Sequence, residues 1–227
     1  DLRGRGESAY AKDPMTYVPL TYLQDMEALI RELELGRLVL FGTSLGALLT
    51  MLLAGNPRHR IAAAPLNDVG PVLDARGLGR IRGYVGRSQS WPTWLHAARW
   101  LGEAQRERYP HWTIDQWLVF AKRLCKLNAN GRIVFDYDMR IAEPFKLPGG
   151  PAGFDLWGAF SGLDSIPSLL LHGEISDPLS PETMAQMKAA MPLMESATVP
   201  GVGHAPTLDE PEAAAAIDTL LARVSSK

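Results

Sequence analysis

The chain has a single cysteine, Cys125, among 227 residues. One thiol cannot close an intramolecular disulfide, and a cysteine metal cluster needs several, so both are excluded. Charge of one sign is lacking too: 23 Lys and Arg stand against 25 Asp and Glu, a formal net charge of -2. That balance carries neither the basic footprint of nucleic-acid binding nor a polybasic membrane anchor. No apolar run approaches the ~20 residues that span a bilayer. The five His are scattered, without the i,i+4 spacing of a helical zinc site, and no metal or other cofactor is expected. No internal repeat or low-complexity segment is present. With 46% hydrophobic and 21% charged residues, what remains is one soluble globular domain with a sizeable core and room for an inserted subdomain.

What is there begins with Arg37-Leu38-Val39-Leu40-Phe41-Gly42-Thr43-Ser44-Leu45-Gly46-Ala47-Leu48-Leu49-Thr50. An apolar run of strand length enters Gly-x-Ser-x-Gly, and an apolar run of helical length follows at once. A strand that turns sharply into a helix strains the residue at the tip, and Gly42 and Gly46 are both expected to make room for neighbouring backbone. Ser44 then stands at a helix N-terminus, where the dipole and free N–H groups favour developing negative charge. A bland Gly/Ser loop is the alternative. The strand and helix on either side favour a nucleophile at Ser44.

Along the chain, residues 1–8 (Asp1-Leu2-Arg3-Gly4-Arg5-Gly6-Glu7-Ser8) are turn chemistry. Thr21 and Gln24 have capping-box spacing, and Leu23, Met26, Leu29, Ile30 and Leu33 then recur at helical period, with Gly36 placed to end the helix. This predicts an amphipathic helix packed on a sheet. Residues 37–41 read as a buried parallel strand, 45–54 as a helix ended by Gly55-Asn56-Pro57, and 61–66 as a second strand leading into Asn67-Asp68-Val69-Gly70-Pro71. Strand, helix and strand at this spacing make a βαβ unit and hence a parallel sheet. From about Val72 to Asp155 the pattern turns helical and aromatic, and all six Trp lie between Trp91 and Trp157. Helices are predicted at 93–103 and 113–127, the second holding Cys125 as a small core hydrophobe. The Pro/Gly-rich run Leu147-Pro148-Gly149-Gly150-Pro151-Ala152-Gly153 closes most of this insert. The Trp residues mostly fill the insert's own core, and Trp91, Trp94 and Trp117 are the candidates to line an apolar substrate pocket. Strand character returns at 168–173. A helix capped by Ser180-Pro181 follows, then a strand at 197–200, a tight loop presenting His204, and a closing helix from Asp209-Glu210-Pro211-Glu212.

A serine hydroxyl is a weak nucleophile near neutral pH and needs an adjacent base. Histidine suits that task, and a carboxylate fixes its tautomer and steadies the imidazolium. In chain order the sequence offers Ser44, Asp177 beyond a strand, and His204 in a loop after the next strand. Each follows a candidate parallel strand, so the three would gather along one sheet edge, where open α/β sheets bind ligands. His172, inside an apolar run, reads as structural; His59, His96 and His111 have no companion acid at fitting spacing. For the acid, Asp177 is preferred, and Asp68, which also directly follows a strand, competes with it.

These residues resemble the α/β-hydrolase superfamily, in the lidded branch of small-molecule esterases, lactonases and carbon–carbon bond hydrolases. Residues 1–8 are similar to its Asp-x-Arg-Gly-x-Gly-x-Ser loop and Gly42-Thr43-Ser44-Leu45-Gly46 to its nucleophile elbow. Leu171-His172-Gly173 through Asp177 resembles its acid loop, and Gly203-His204 with Asp209-Glu210-Pro211 its histidine loop. The resemblance implies a mostly parallel α/β sheet flanked by helices, with a core at 1–71 and 156–227 and a helical lid at 72–155. It also implies the catalytic set Ser44, Asp177 and His204, with the Leu45 N–H as an oxyanion donor. In the family, four strands and a second oxyanion donor precede the Asp-x-Arg-Gly loop, with which this chain opens. That part of the sheet is therefore expected to be absent here, baring the edge of the strand at 37–41.

The function so implied is hydrolysis of a small carboxylic ester or lactone through an acyl-enzyme, in the cytoplasm, with a small-molecule substrate and no nucleic acid, membrane or cofactor. A carbon–carbon bond hydrolase is the alternative within the fold; those enzymes often carry Asn where this chain has Thr43. Dehalogenases and epoxide hydrolases of the fold use an Asp nucleophile, which Ser44 argues against. A binding module with little turnover is the alternative outside enzymes.

Overall fold

A computed structural model of the chain describes residues 1–56, 60–146 and 155–225. Helix α1 (Pro19–Glu32) is followed by short strands β1 (Leu38–Val39) and β2 (Gly42–Thr43), helix α2 (Leu45–Ala54), strand β3 (Ile61–Asn67) and helix α3 (Ala75–Tyr84). Next come β4 (Ser90–Trp91), α4 (Trp94–Gln105), α5 (Ile114–Leu124), β5 (Cys125–Leu127) and β6 (Ile133–Phe135). Helix α6 (Leu156–Ser161), β7 (Ser168–Gly173), α7 (Pro181–Ala190), β8 (Glu195–Val199) and α8 (Pro211–Ser225) follow. Among the described residues no helix is long and apolar enough to cross a membrane.

The chain divides into two compact units, Asp1–Val18 with Ile81–Gly150, and Pro19–Arg80 with Pro151–Lys227. The first 18 residues, expected with the core, thus join the insert. The reason is local bonding: Gly6 N–H donates to Asp136 O (3.0 Å) and Asp138 N–H to Gly4 O (2.7 Å). Tyr17 Oη adds a bond to the buried Asp138 Oδ2 at 2.7 Å. Residues expected in the insert after 71 remain with the larger unit as far as Arg80, where Asp74 N–H bonds Pro178 O. The Pro/Gly-rich run at 147–153 lies outside the described residues.

In the larger unit the strands run β1-β3-β7-β8, with β2 also on β3, and every pairing is parallel. β7 is buried along its whole length and β3 over its last five residues, as continuous apolar strands covered on both faces should be. The run at 37–41 departs from the predicted buried strand. Its register on β3 shifts within β1, between Leu38 and Val39, and pairing resumes in β2 only after Leu40 and Phe41. Both pair with β3 at the sheet's edge, so Val39 and Phe41 are exposed. Helix α2 packs on β2, β3 and α6, and α8 packs on β3, β7 and β8. Met51, Leu66, Phe160, Leu163, Leu170 and Met187 meet in the core. Removing such side chains from water contributes roughly 1.5–3 kcal/mol each. Helix α1 begins two residues before Thr21, on Pro19, whose fixed φ suits a first turn. It packs on α2 rather than on the sheet, with Tyr22 buried and Leu29 and Leu33 exposed.

The smaller unit is built on the α4–α5 pair. The Thr93 hydroxyl caps α4, and Thr113 and Gln116 form a capping box on α5. An antiparallel sheet, ordered β4-β6-β5, accompanies them where only helices were predicted. Its strands are two or three residues long, too short for alternation to register. The Asn130-Gly131 turn was the available signal: Asn128 Oδ1 accepts from Asn130 N (3.0 Å) and Arg132 N (2.9 Å), and Gly131 takes φ 69°. Cys125 opens β5 instead of lying in a helix, and burial, with Asp136 nearby, pushes its thiol up to about 11.

Candidate active site

Sheet register gathers the site. Thr43 pairs with Asn67 across β2 and β3, and Asn67 pairs with Leu171 across β3 and β7. One residue further along each strand stand Ser44, Asp68 and His172, side by side at the C-terminal edge. Each turn is built for the purpose. Ser44 adopts φ 53° and ψ -111°, a strained conformation for a residue with a side chain. A serine at an N-cap ordinarily turns its hydroxyl back onto the helix. Here the strained backbone aims it elsewhere: no cap bond forms, while Ser44 O still accepts from Ala47 and Leu48 N–H. Gly42 makes the turn feasible, since a Cβ there would lie 2.5 Å from Gly46 O and 2.6 Å from both Ala47 N and Cα. The same expectation fails at Gly46, where a Cβ would meet nothing within 4 Å.

Ser44 Oγ donates to His204 Nε2 at 2.9 Å, and His204 Nδ1 donates to Asp68 Oδ2 at 2.9 Å. Asp68 is fully buried, with φ 62°, and its backbone N–H is bound to Leu171 O. Its second oxygen, Oδ1, accepts from His172 Nδ1 at 3.0 Å and from Gly173 N–H at 3.1 Å. Burial alone would raise this carboxyl's pKa, but the hydrogen bonds from His172 and His204 outweigh it and hold Asp68 below the ordinary carboxylate value. An ionised carboxylate only accepts, so both imidazoles carry their proton on Nδ1. His204 therefore turns the lone pair of Nε2 toward the serine hydroxyl, the tautomer a general base requires.

The loop carrying His204 is pinned at both ends. Glu174 Oε2 accepts from Gly201 N–H (2.7 Å), and Glu210 accepts from Thr207 and Leu208 N–H (2.8 and 2.9 Å). Gly173 lets this loop close down, because a Cβ there would lie 2.5 Å from the carbonyl oxygens of both Val202 and Gly203. Asn67 Nδ2 ties the loop to the elbow, bonding Pro206 O and Thr43 Oγ1.

The predicted acid is corrected by this geometry. Asp177 is four residues past the end of β7, and its carboxylate pairs with Arg80, whereas Asp68 is one residue past β3 and lies between the strands of Ser44 and His172. His172, read from sequence as structural filler, is bonded to that acid. Its signal was present: a polar ring within an apolar, buried strand needs a partner. Of the rival histidines, His96 Nδ1 lies 2.8 Å from Thr93 Oγ1 at the start of α4, His111 is exposed, and His59 lies outside the described residues. Leu45, the proposed oxyanion donor, opens α2, whose first N–H groups point out of the helix. Among the described residues no three His, Cys, Asp or Glu side chains are arranged to hold a metal ion.

The candidate pocket tryptophans belong to the smaller unit. Trp91 is buried against Trp100 and Phe135, with ring centroids 5.3 and 5.2 Å away. Trp117 is buried in a second cluster with Tyr109, Trp112 and Phe120. It also lines a cleft of about 330 Å³ shared with Arg99, Arg106 and Trp112. Trp94 is half-buried in the first turn of α4.

Comparison with known proteins follows the same lines. The model of the alpha/beta hydrolase family matches residues 1–217. The 3-hydroxybutyrate-oligomer hydrolase of Cupriavidus necator is 34% identical over 220 residues, covering 93% of this chain and 74% of that one. The crystal structure of an alpha/beta hydrolase from Novosphingobium aromaticivorans is 56% identical with a TM-score of 0.93, covering 98% of this chain and 78% of the other. An esterase from Mycobacterium tuberculosis shares the fold alone, at 22% identity and a TM-score of 0.69 over all of this chain and 74% of its own.

Proposed function

Because the chain belongs to the alpha/beta hydrolase family, we propose that it is a serine hydrolase, cleaving a small carboxylic ester or lactone through an acyl-enzyme on Ser44. The observation that carries the reading is the unbroken hydrogen-bond chain from Ser44 Oγ through His204 to the buried, ionised Asp68. His204 Nε2 takes the Ser44 proton as Oγ adds to the carbonyl carbon. Collapse of the tetrahedral adduct breaks the bond to the alkoxy group, which leaves with the proton from His204. Water then repeats the two steps, releasing the acid and restoring Ser44. Asp68 keeps the imidazole oriented and offsets its charge, while the Leu45 N–H, at the positive end of α2, receives the developing oxyanion.

The relative named for 3-hydroxybutyrate oligomers makes short hydroxyacid esters the first natural substrates to offer. The test is hydrolysis of p-nitrophenyl acetate, p-nitrophenyl butyrate and a 3-hydroxybutyrate dimer by the wild-type chain and by Ser44→Ala. Turnover that disappears in the variant is expected. Equal turnover in both, or no turnover together with no labelling of Ser44 by a serine-reactive phosphonate, overturns the reading.

A further inference from the structure

Two imidazoles share one carboxylate, and only one of them faces the nucleophile. His204 occupies Oδ2 of Asp68, while His172 Nδ1 and the Gly173 N–H converge on Oδ1 at 3.0 and 3.1 Å. His172 is the penultimate residue of a strand otherwise made of Ser168, three leucines and Gly173, and its side chain is 9% exposed. An apolar side chain would fill such a place without the cost of desolvating a ring nitrogen. The nitrogen is directed at the acid.

We propose that His172 is a positioning residue for the triad, acting through Asp68; the inference rests on the Ser44 reading above. Asp68 sits at a left-handed turn, and a carboxylate can rotate about its Cβ–Cγ bond. One backbone donor on Oδ1 leaves that rotation loosely restrained. Two donors arriving from successive residues of the neighbouring strand define the carboxylate plane and so the direction in which Oδ2 meets His204. His172 gives its Nδ1–H to Oδ1, so Oδ2 stays with His204 and can offset its charge when that ring gains the Ser44 proton. His172 touches Asp68 and not the nucleophile, so its removal acts on kcat and leaves KM unchanged.

The test compares His172→Phe, which keeps a ring without the donor, with His172→Asn, whose amide N–H stands near the place of Nδ1. Kinetics with p-nitrophenyl butyrate are read beside the downfield proton resonance of the His204 Nδ1–H, recorded without substrate. His172→Phe is expected to lower kcat on the order of 10²-fold, as small misplacements of catalytic groups do. The resonance should shift or broaden, and His172→Asn should recover most of both. Wild-type kcat and an unmoved resonance in folded His172→Phe overturn the proposal, as does equal loss in both variants. If the phenylalanine variant does not fold, His172→Met supplies the donor-free comparison. If the wild type hydrolyses no ester, the Ser44 reading fails separately, and the resonance alone decides whether His172 orients Asp68.

Discussion

Adding one methyl group at each elbow glycine should move stability in opposite directions. In Gly42→Ala the new Cβ would sit 2.5 Å from Gly46 O and 2.6 Å from Ala47 N and Cα. All three are backbone atoms of the first turn of α2, held by the bonds of Ala47 and Leu48 N–H to Ser44 O, so no side chain can swing away to relieve the overlap. Overpacking of this kind costs about 1–3 kcal/mol, and three contacts this short put Gly42→Ala at the upper end. Gly46→Ala meets nothing within 4 Å and lies inside the helix, where Ala is better than Gly by up to about 1 kcal/mol. At about 2–4 °C per kcal/mol for a chain of this size, the first variant should melt about 6–12 °C lower and the second up to about 4 °C higher. Thermal unfolding followed by circular dichroism, with urea midpoints as a second measure, reads both. A neutral Gly42→Ala, or a Gly46→Ala that destabilises as much, would refute the steric account of the elbow.

The two carboxylates should separate in the same way. Asp68→Asn leaves His204 without the acceptor that fixes its tautomer and should lower kcat about 10³- to 10⁴-fold, whereas Asp177→Asn breaks a partly exposed ion pair with Arg80, worth about 0–1 kcal/mol of stability, and should leave kcat within tenfold. Ester hydrolysis by the two variants checks this, and the opposite order would return the role to Asp177. In the smaller unit, burial works against Asp138, but hydrogen bonds from Arg140 and Tyr17 outweigh it and hold its pKa below the ordinary value. A depressed carboxylate contributes stability that is present above its unfolded pKa of roughly 3.9 and lost as pH falls through the folded value. Melts of the wild type from about pH 6 to pH 2.5 should therefore decline more steeply than those of Asp138→Asn across the carboxylate range; parallel declines would count against the assignment.

Local signals in the sequence determined the elements that stand on short-range physics. Helix α2 runs over residues 45–54 as its apolar run and following glycine indicate, Ser180 caps the helix it precedes, and β7 is the continuous apolar strand its leucines announce. Gly-x-Ser-x-Gly between strand and helix marked Ser44, and a tight Gly-rich loop marked His204. The acid could not be settled by such signals, because Asp68 and Asp177 both follow strands in suitable order, and order along the chain does not say which strand end adjoins which. Register decided it, by setting Ser44, Asp68 and His172 level across β2, β3 and β7, and by leaving Asp177 to Arg80. The same limit hid the short strands β4, β5 and β6, which exist only by pairing with one another. Periodicity and caps are written into neighbouring residues, whereas the meeting of one carboxylate with two histidines 104 and 136 positions away is a property of the assembled sheet.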